Sequence, residues 1–420
     1  MNYVFTSINN AYLPKAITLA DSLRQVYGND MHVTCMLSDK RDPDLDYSAF
    51  DEVLTIEDLD LPVESLEAWI FKHTVVELST AVKPWAFKKI FQRHNAESVL
   101  YMDPDTVAYS RMEEVHEALR HSPIVLTPHV TVPAVTDDAL LDGEMLGCLR
   151  HGVFNLGFLA LSAHGEGKNF LDWWARRCLE WCYDDSARGL FTDQRWLDLA
   201  PCFFPSLSVL RHPGYNVATW NLYYRHLSQG ESGEIMINQK HPLRFFHFSG
   251  FDLGTYEHML KKHAPGHSLL RQMTDWYVAK QIANGQKRLG GYPGIYDVFA
   301  DGERIPREWR VHYRENADLQ NSFPRPYSDS SLHRTLKGQT LQQRPHTAQP
   351  FYPRNRFIQL GINQLQRRPQ AHALAARAPA RRCHLSPKAS ALAIAGVERQ
   401  VRWTGANAAR SSRTLLRTMR

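Results

Sequence analysis

Three stretches near the start of the 420-residue chain, Tyr3-Val4-Phe5-Thr6, Leu13-Pro14 and Val33-Thr34-Cys35-Met36-Leu37, decide the fold class. The outer two are short apolar runs of strand character. Between them Leu13-Pro14 opens a segment in which Ala16, Leu19, Leu23 and Val26 recur at helical spacing. Strand, helix, strand predicts a parallel sheet, because parallel neighbours need a crossover and a helix is the usual one. Ligands of such sheets sit beyond the carboxyl ends of the strands.

Further along, a helical stretch from Pro84 to Phe91 leads into the buried strand Ser98-Val99-Leu100-Tyr101, which ends in Asp103-Pro104-Asp105. Strands are expected at Ile124–Thr127, Phe154–Leu161 and Leu243–Phe246, and helices near 111–120, 167–182 and 265–284. No Gly-rich phosphate loop and no internal repeat interrupts the alternation.

Composition is that of a folded chain: 43% hydrophobic and 11% aromatic residues exclude collagen, coiled coil and wholesale disorder. The net charge of +5 conceals a division. Residues 1–330 hold 32 basic and 43 acidic side chains, a net of −11, whereas residues 331–420 hold 17 basic ones and the single acid Glu398, a net of +16. Nine of the ten Trp fall before residue 310, so the core belongs to the acidic part. The expected organisation is a folded α/β domain over 1–320, a Pro/Ser-rich linker over 321–335 and a basic low-complexity tail over 336–420 that is disordered or read out of frame. The six cysteines lack metal-finger spacing and are expected as buried thiols. Neither a leader-like start nor an eighteen-residue apolar run is present, so a cytoplasmic protein is expected, at most peripheral to the inner face of a membrane through its basic tail.

The candidate chemistry begins at Asp103 and Asp105. Period-two alternation at a strand end would turn both carboxylates to one side, where paired hard oxygen ligands suit a divalent cation bridging a diphosphate. His247, within Phe245-Phe246-His247-Phe248-Ser249-Gly250, is a third candidate ligand. Two carboxylates with one imidazole favour Mn2+ over Ca2+, with Mg2+ the other candidate. Taken alone, an Asp-x-Asp is also an ordinary solvated turn, and a histidine among aromatics is more often a satisfied core residue.

The order of Tyr3–Asn10, Ser98–Asp105, Phe154-Asn155-Leu156-Gly157-Phe158, Thr192-Asp193-Gln194-Arg195-Trp196 and His247-Phe248-Ser249-Gly250 resembles GT-A-fold glycosyltransferases. The likeness is to the retaining, family-8-like group of bacterial polysaccharide-biosynthesis enzymes, and it spans residues 1–315. It implies an α/β GT-A fold, Rossmann-like with a mostly parallel sheet flanked by helices. It further implies a nucleotide-sugar donor, a UDP-sugar in the first place, and a saccharide or lipid-linked acceptor. The metal would be held by Asp103, Asp105 and His247. Thr6 and Asn10 match nucleoside-gripping positions, and Lys83 a basic position that contacts donor sugar or phosphate. Asn155 and Gly157 match the loop that approaches the donor sugar. Asp193 and Gln194 match the catalytic pair beneath its anomeric carbon.

Better-known members continue the histidine motif with a Gly-x-x-Lys-Pro-Trp segment; here Gly250 is followed by Phe251-Asp252-Leu253-Gly254, leaving Lys261 or Lys262 as substitutes for the missing cation. The segment His212–Leu222 is expected to shape the acceptor side. Resemblance favours retention by front-side substitution. Inversion would require a carboxylate base, for which Asp142 and Glu144 are candidates. The tail carries no nucleic-acid recognition motif, so no specific nucleic-acid partner is expected. A catalytically silent carbohydrate- or nucleotide-binding scaffold is the competing reading.

Overall fold

Strand β1 (Asn2–Ile8), helix α1 (Leu13–Tyr27) and strand β2 (Met31–Leu37) form the expected opening of a parallel sheet: β1 and β2 pair in parallel from Asn2↔Met31 to Ile8↔Leu37. The computed structural model describes residues 2–133, 144–251 and 254–338, within a unit spanning Met1–Gln349. Strand β3 (Glu52–Thr55) adds to β2, and β4 (Ser98–Met102) to the other side of β1, both in parallel. After β5 (Thr106–Ala108) come β6 (Ile124–Pro128) and β7 (Phe154–Ser162). The seven-stranded order is Leu207–Val209, β6, β7, β4, β1, β2, β3, which makes β4 the middle strand. Strand β7 is buried along all nine residues and runs antiparallel to both β4 and β6. The remaining pairings are parallel, so the architecture is a mostly parallel α/β sheet flanked by helices.

Alternation along the strands supplies a core to each face. Phe5, Val99 and Tyr101 pack with Phe87, Ile90 and Trp174, whereas Val4, Leu100 and Met102 pack with Leu19 and Leu23 of α1. The helix Lys83–His94 starts with Pro84 in its first turn, where a missing N–H costs nothing. It buries Ala86, Phe87 and Ile90 on the sheet and stops at Asn95, whose φ of 48° is left-handed.

A smaller sheet ties the far end of β4 to the later chain. Strand β5 pairs antiparallel with Phe245–His247, placing His247 opposite Thr106, and Val217–Ala218 adds to the latter strand. Of the cysteines expected as buried thiols, Cys35, Cys178 and Cys182 are buried, whereas Cys148 is half-buried and Cys202 exposed, and Cys383 lies outside the described residues. The stretch 321–335, expected as a linker, is packed instead: Leu332 and Leu336 of the helix Ser330–Gly338 are buried with Phe71, Phe299 and Tyr313. Their i, i+4 spacing provides a stripe that the neighbouring Pro and Ser residues mask in the composition. The tail from 339 onward and Asp142 lie outside the described residues. Among the described residues no helix is long and apolar enough to cross a membrane.

Candidate active site

Asp103 and Asp105 lie just past the carboxyl end of the middle strand, where sheets of this kind bind ligands. The strand has ended by then, so a tight turn between β4 and β5, not the pleat, groups the two carboxylates. Thr106 closes it, donating from N–H (3.0 Å) and Oγ1 (2.7 Å) to the Asp103 carbonyl. Across the small sheet His247 presents Nε2 3.0 Å from Asp105 Oδ1 and 3.8 Å from Asp103 Oδ2. Ligand atoms of all three lie within 4.8 Å of one another, a group able to hold a metal ion.

Burial pulls the His247 imidazole down, but Asp105 and Asp103 override it and hold its pKa above the usual histidine value. Burial pushes Asp105 up, and His247 more than offsets this to leave its carboxyl below the usual range. A cation at the cluster would need His247 unprotonated and would therefore compete with protons. His247 Nδ1 is buried with no hydrogen-bond partner among the described residues, and Trp220 packs edge-on against the ring with centroids 5.5 Å apart.

The two oxygens of Asp103 have separate surroundings. Oδ2 faces His247, while Oδ1 accepts from Tyr101 Oη at 2.5 Å and lies 3.5 Å from Lys83 Nζ. Lys83 is buried at the first turn of its helix, reaching Asp193 Oδ2 at 3.2 Å and the Leu156 carbonyl at 3.2 Å, with the Tyr101 ring 4.2 Å away. Burial lowers the Lys83 pKa, but Asp103 and Asp193 together raise it above the usual lysine value. Asp193 is 1% exposed, and its burial pushes the carboxyl up against the pull of Lys83.

Gly157 belongs to β7 directly opposite this cluster. A Cβ there would lie 2.5 Å from His247 Cε1, 2.6 Å from Asn155 Oδ1 and 3.0 Å from Asp103 Oδ2. Glycine is required here because His247, Asn155 and Asp103 occupy the space a side chain would need. Asn155 Oδ1 accepts from the Gly157 N–H at 2.9 Å, and its Nδ2 lies 3.0 Å from His129 Nε2. Gln194 uses both ends of its amide on backbone: Oε1 accepts from Leu156 N–H and Nε2 donates to the His151 carbonyl, each at 2.9 Å.

A cavity of about 470 Å3 is lined by Lys83, Asp103, Asn155, Asp193, Gln194 and His247, together with His129, His151 and Trp220. The fold thus brings six of the expected residues to one wall. Thr6 and Asn10 stand elsewhere, buried at the end of β1 and just after it. Asn10 donates to Asp39 Oδ2 and the Lys40 carbonyl and accepts from Tyr47 Oη, while Thr6 Oγ1 has no hydrogen-bond partner among the described residues. Glu144 also lines the cavity but is paired with His263 at 2.9 Å and lies 3.5 Å from Lys262. Lys261 is exposed and paired with Glu257. In the segment 212–222, Trp220 and Asn221 donate to the His129 carbonyl, which fixes the cavity wall.

Sequence reasoning missed His129 and His151 as parts of this wall, and Tyr101 as the donor to Asp103 behind it. Tyr101 precedes Asp103 by only two positions, within reach of its carboxylate, whereas nothing local marks His129.

No family model matches the chain. It is 28% identical over 255 residues to the uncharacterized protein YfnF of Bacillus subtilis (strain 168), covering 59% of this chain and 80% of that protein. It is 29% identical over 179 residues to the uncharacterized YfnD of the same organism, covering 41% of this chain and 54% of that one. Distant solved structures include an active-site mutant of LgtC, with 14% identity, a TM-score of 0.36, and 60% of this chain and 88% of that one covered. Mouse xyloside xylosyltransferase 1 has 12% identity, a TM-score of 0.35 and coverage of 59% and 97%. The glycosyltransferase GlyE of Streptococcus pneumoniae TIGR4 has 13% identity, a TM-score of 0.37 and coverage of 71% and 66%.

Proposed function

We propose that the chain is a GT-A-type, metal-dependent glycosyltransferase that moves a hexose-type sugar from a nucleotide-sugar donor to a saccharide or lipid-linked acceptor with retention. The UDP-sugars are the first donors to consider. One observation carries the reading: Asp103, Asp105 and His247 meet beyond the middle strand, with Asp103 and His247 on the wall that also holds Lys83, Asn155 and Asp193. The ordered motifs that resemble such enzymes supply several of these residues.

Asp103, Asp105 and His247 would hold Mn2+ or Mg2+, and glycine at 157 lets β7 pass close to His247 and Asp103 without displacing them. When bound, the ion would supply Lewis-acid stabilisation of the charge that gathers on a departing diphosphate. The rest falls to the chain. Lys83 donates to Asp103 and the Leu156 carbonyl and is ion-paired with Asp193, so its effect on the donor passes through the carboxylates it orients. Asp193, ion-paired with Lys83, lines the cavity where a sugar that becomes oxocarbenium-like as its bond to phosphate stretches would lie. Asn155 and the Gly157 backbone border the place for sugar hydroxyls. Gln194, engaged at both ends, positions β7 against the turn at His151 and does not act as a nucleophile.

Retention is favoured by the resemblance; of the two candidate bases for inversion, Asp142 lies outside the described residues and Glu144 is engaged. Its carboxylate is tied to His263 and Lys262, which leaves it poorly placed as the base that inversion would need. Front-side substitution needs no such base, because the departing phosphate oxygen accepts the acceptor's proton. The test is a panel of nucleotide sugars incubated with the full chain and Mn2+, alongside D103N. Donor hydrolysis or transfer that D103N abolishes supports the enzyme; saturable nucleotide binding without turnover of any donor supports a silent scaffold.

A further inference from the structure

At the opposite ends of the parallel strands, His32, Glu52 and His94 form another group whose candidate ligand atoms lie within 4.8 Å of one another. Three separate elements deliver them. His32 is the second residue of β2, Glu52 the first of β3, and His94 the last of the helix Lys83–His94. The register pairs Tyr3 with His32 and Thr34 with Glu52, so alternation sets all four on one sheet face, the face that this helix covers. His32 and His94 have ring centroids 4.7 Å apart, and Tyr3 packs against both at 5.3 and 5.0 Å.

The carboxylate is already oriented. Glu52 Oε1 accepts from Arg93 Nη1 at 2.8 Å, which leaves Oε2 facing His94 Nε2 at 2.9 Å and Thr34 Oγ1 at 3.5 Å. The pair remains partly open to solvent, with side-chain exposures of 24% for His94 and 17% for Glu52. By contrast, the remaining group of this kind among the described residues, Asp301, Glu303 and His333, directs the two nitrogens of one imidazole to different carboxylates. A single ion cannot use both.

We propose that His32, Glu52 and His94 bind a divalent transition-metal ion, Zn2+ by preference, at a second site separate from the catalytic cavity. Two imidazole nitrogens and one carboxylate oxygen match a three-ligand zinc set whose fourth position is taken by water. The donor set differs from the oxygen-rich group at Asp103, which suits Mn2+ or Mg2+. Since β1, β2, β3 and β4 run in parallel, the site lies at the amino ends of strands whose carboxyl ends face the sugar chemistry. The ion therefore joins β2, β3 and the end of the Lys83–His94 helix without touching the donor.

Equilibrium dialysis and thermal melting with Zn2+ alone test this in a D103N/D105N background, which removes both carboxylates of the catalytic group. One zinc per chain and a higher melting temperature are expected. Adding H32N or H94N should weaken zinc binding about tenfold or more, by analogy with losses at metal sites, with circular dichroism confirming that each variant is folded. E52Q, which retains size and the Arg93 side of the pair, provides a milder third variant and should also lose zinc. The absence of zinc uptake by folded D103N/D105N protein, or uptake that folded H32N, H94N and E52Q leave unchanged, would overturn the proposal.

Discussion

Lys83 Nζ lies 3.2 Å from Asp193 Oδ2, with both side chains buried, and this contact joins the helix before the middle strand to the loop after Phe191. Because Asp103 shares the same ammonium, removing the cation leaves two carboxylates facing each other without compensation. K83M is expected to lose about 3–5 kcal/mol, the usual cost of breaking a buried pair from one side. K83M/D193N should lose less than the two single variants combined. Urea denaturation of the four proteins measures this; strictly additive losses would show that the contact is incidental.

Gly157 makes a sharper steric prediction. The methyl of G157A would meet His247 Cε1 at 2.5 Å and Asn155 Oδ1 at 2.6 Å, forcing the imidazole away from the two carboxylates. Mn2+ affinity should fall about tenfold or more, while stability falls by only about 1–3 kcal/mol, as for other overpacked sites. Gly147 lines the same cavity, and a methyl added there would meet nothing within 4 Å, so G147A serves as the control. Equal Mn2+ titrations for G157A and the parent chain would refute the steric assignment.

Acid should weaken the fold through buried imidazoles. Burial pulls His73 and His129 down to about 4 each. An unfolded histidine titrates near pH 6.5, so between about 6.5 and 4 the unfolded chain binds more protons and stability drops as pH falls. The contribution is complete above pH 6.5 and amounts to roughly 3 kcal/mol per residue across the window. Urea midpoints between pH 7 and 5 should fall less steeply in H73Q than in the parent chain, since one of the two groups is gone. Parallel slopes would count against this origin.

Gln194 is expected to act on structure before chemistry. Q194A removes an acceptor from Leu156 N–H and a donor from the His151 carbonyl, for a loss of about 1–3 kcal/mol per group left unpaired. Donor affinity and stability should decline together. A variant with undiminished stability and no turnover would instead assign Gln194 a direct catalytic part.

Much of this arrangement is legible in the amino-acid sequence. The apolar runs of β1, β2 and β4 and the Ala16–Val26 periodicity specify their elements because each buries one repeating face. The direction of β7 is not legible: a strand buried on both faces has no alternation, and its pattern says nothing of which way its neighbours run. Asp103, Asp105 and His247 can be singled out by residue type, yet strand alternation is the wrong reason for the pair, since a turn and not the pleat groups them. Lys83 is visible as a cation, but its partners come from residues 20 and 110 positions away, a relationship that only the tertiary fold creates.

The central claim is that the cluster of Asp103, Asp105 and His247 makes sugar transfer depend on a divalent cation. Its most direct test is release of nucleoside diphosphate from a panel of nucleotide sugars by the full chain, with Mn2+, with a chelator, and in D103N. Release from at least one donor that needs Mn2+ and disappears in folded D103N is the predicted result. Release that continues undiminished in the chelator and in D103N would contradict the account.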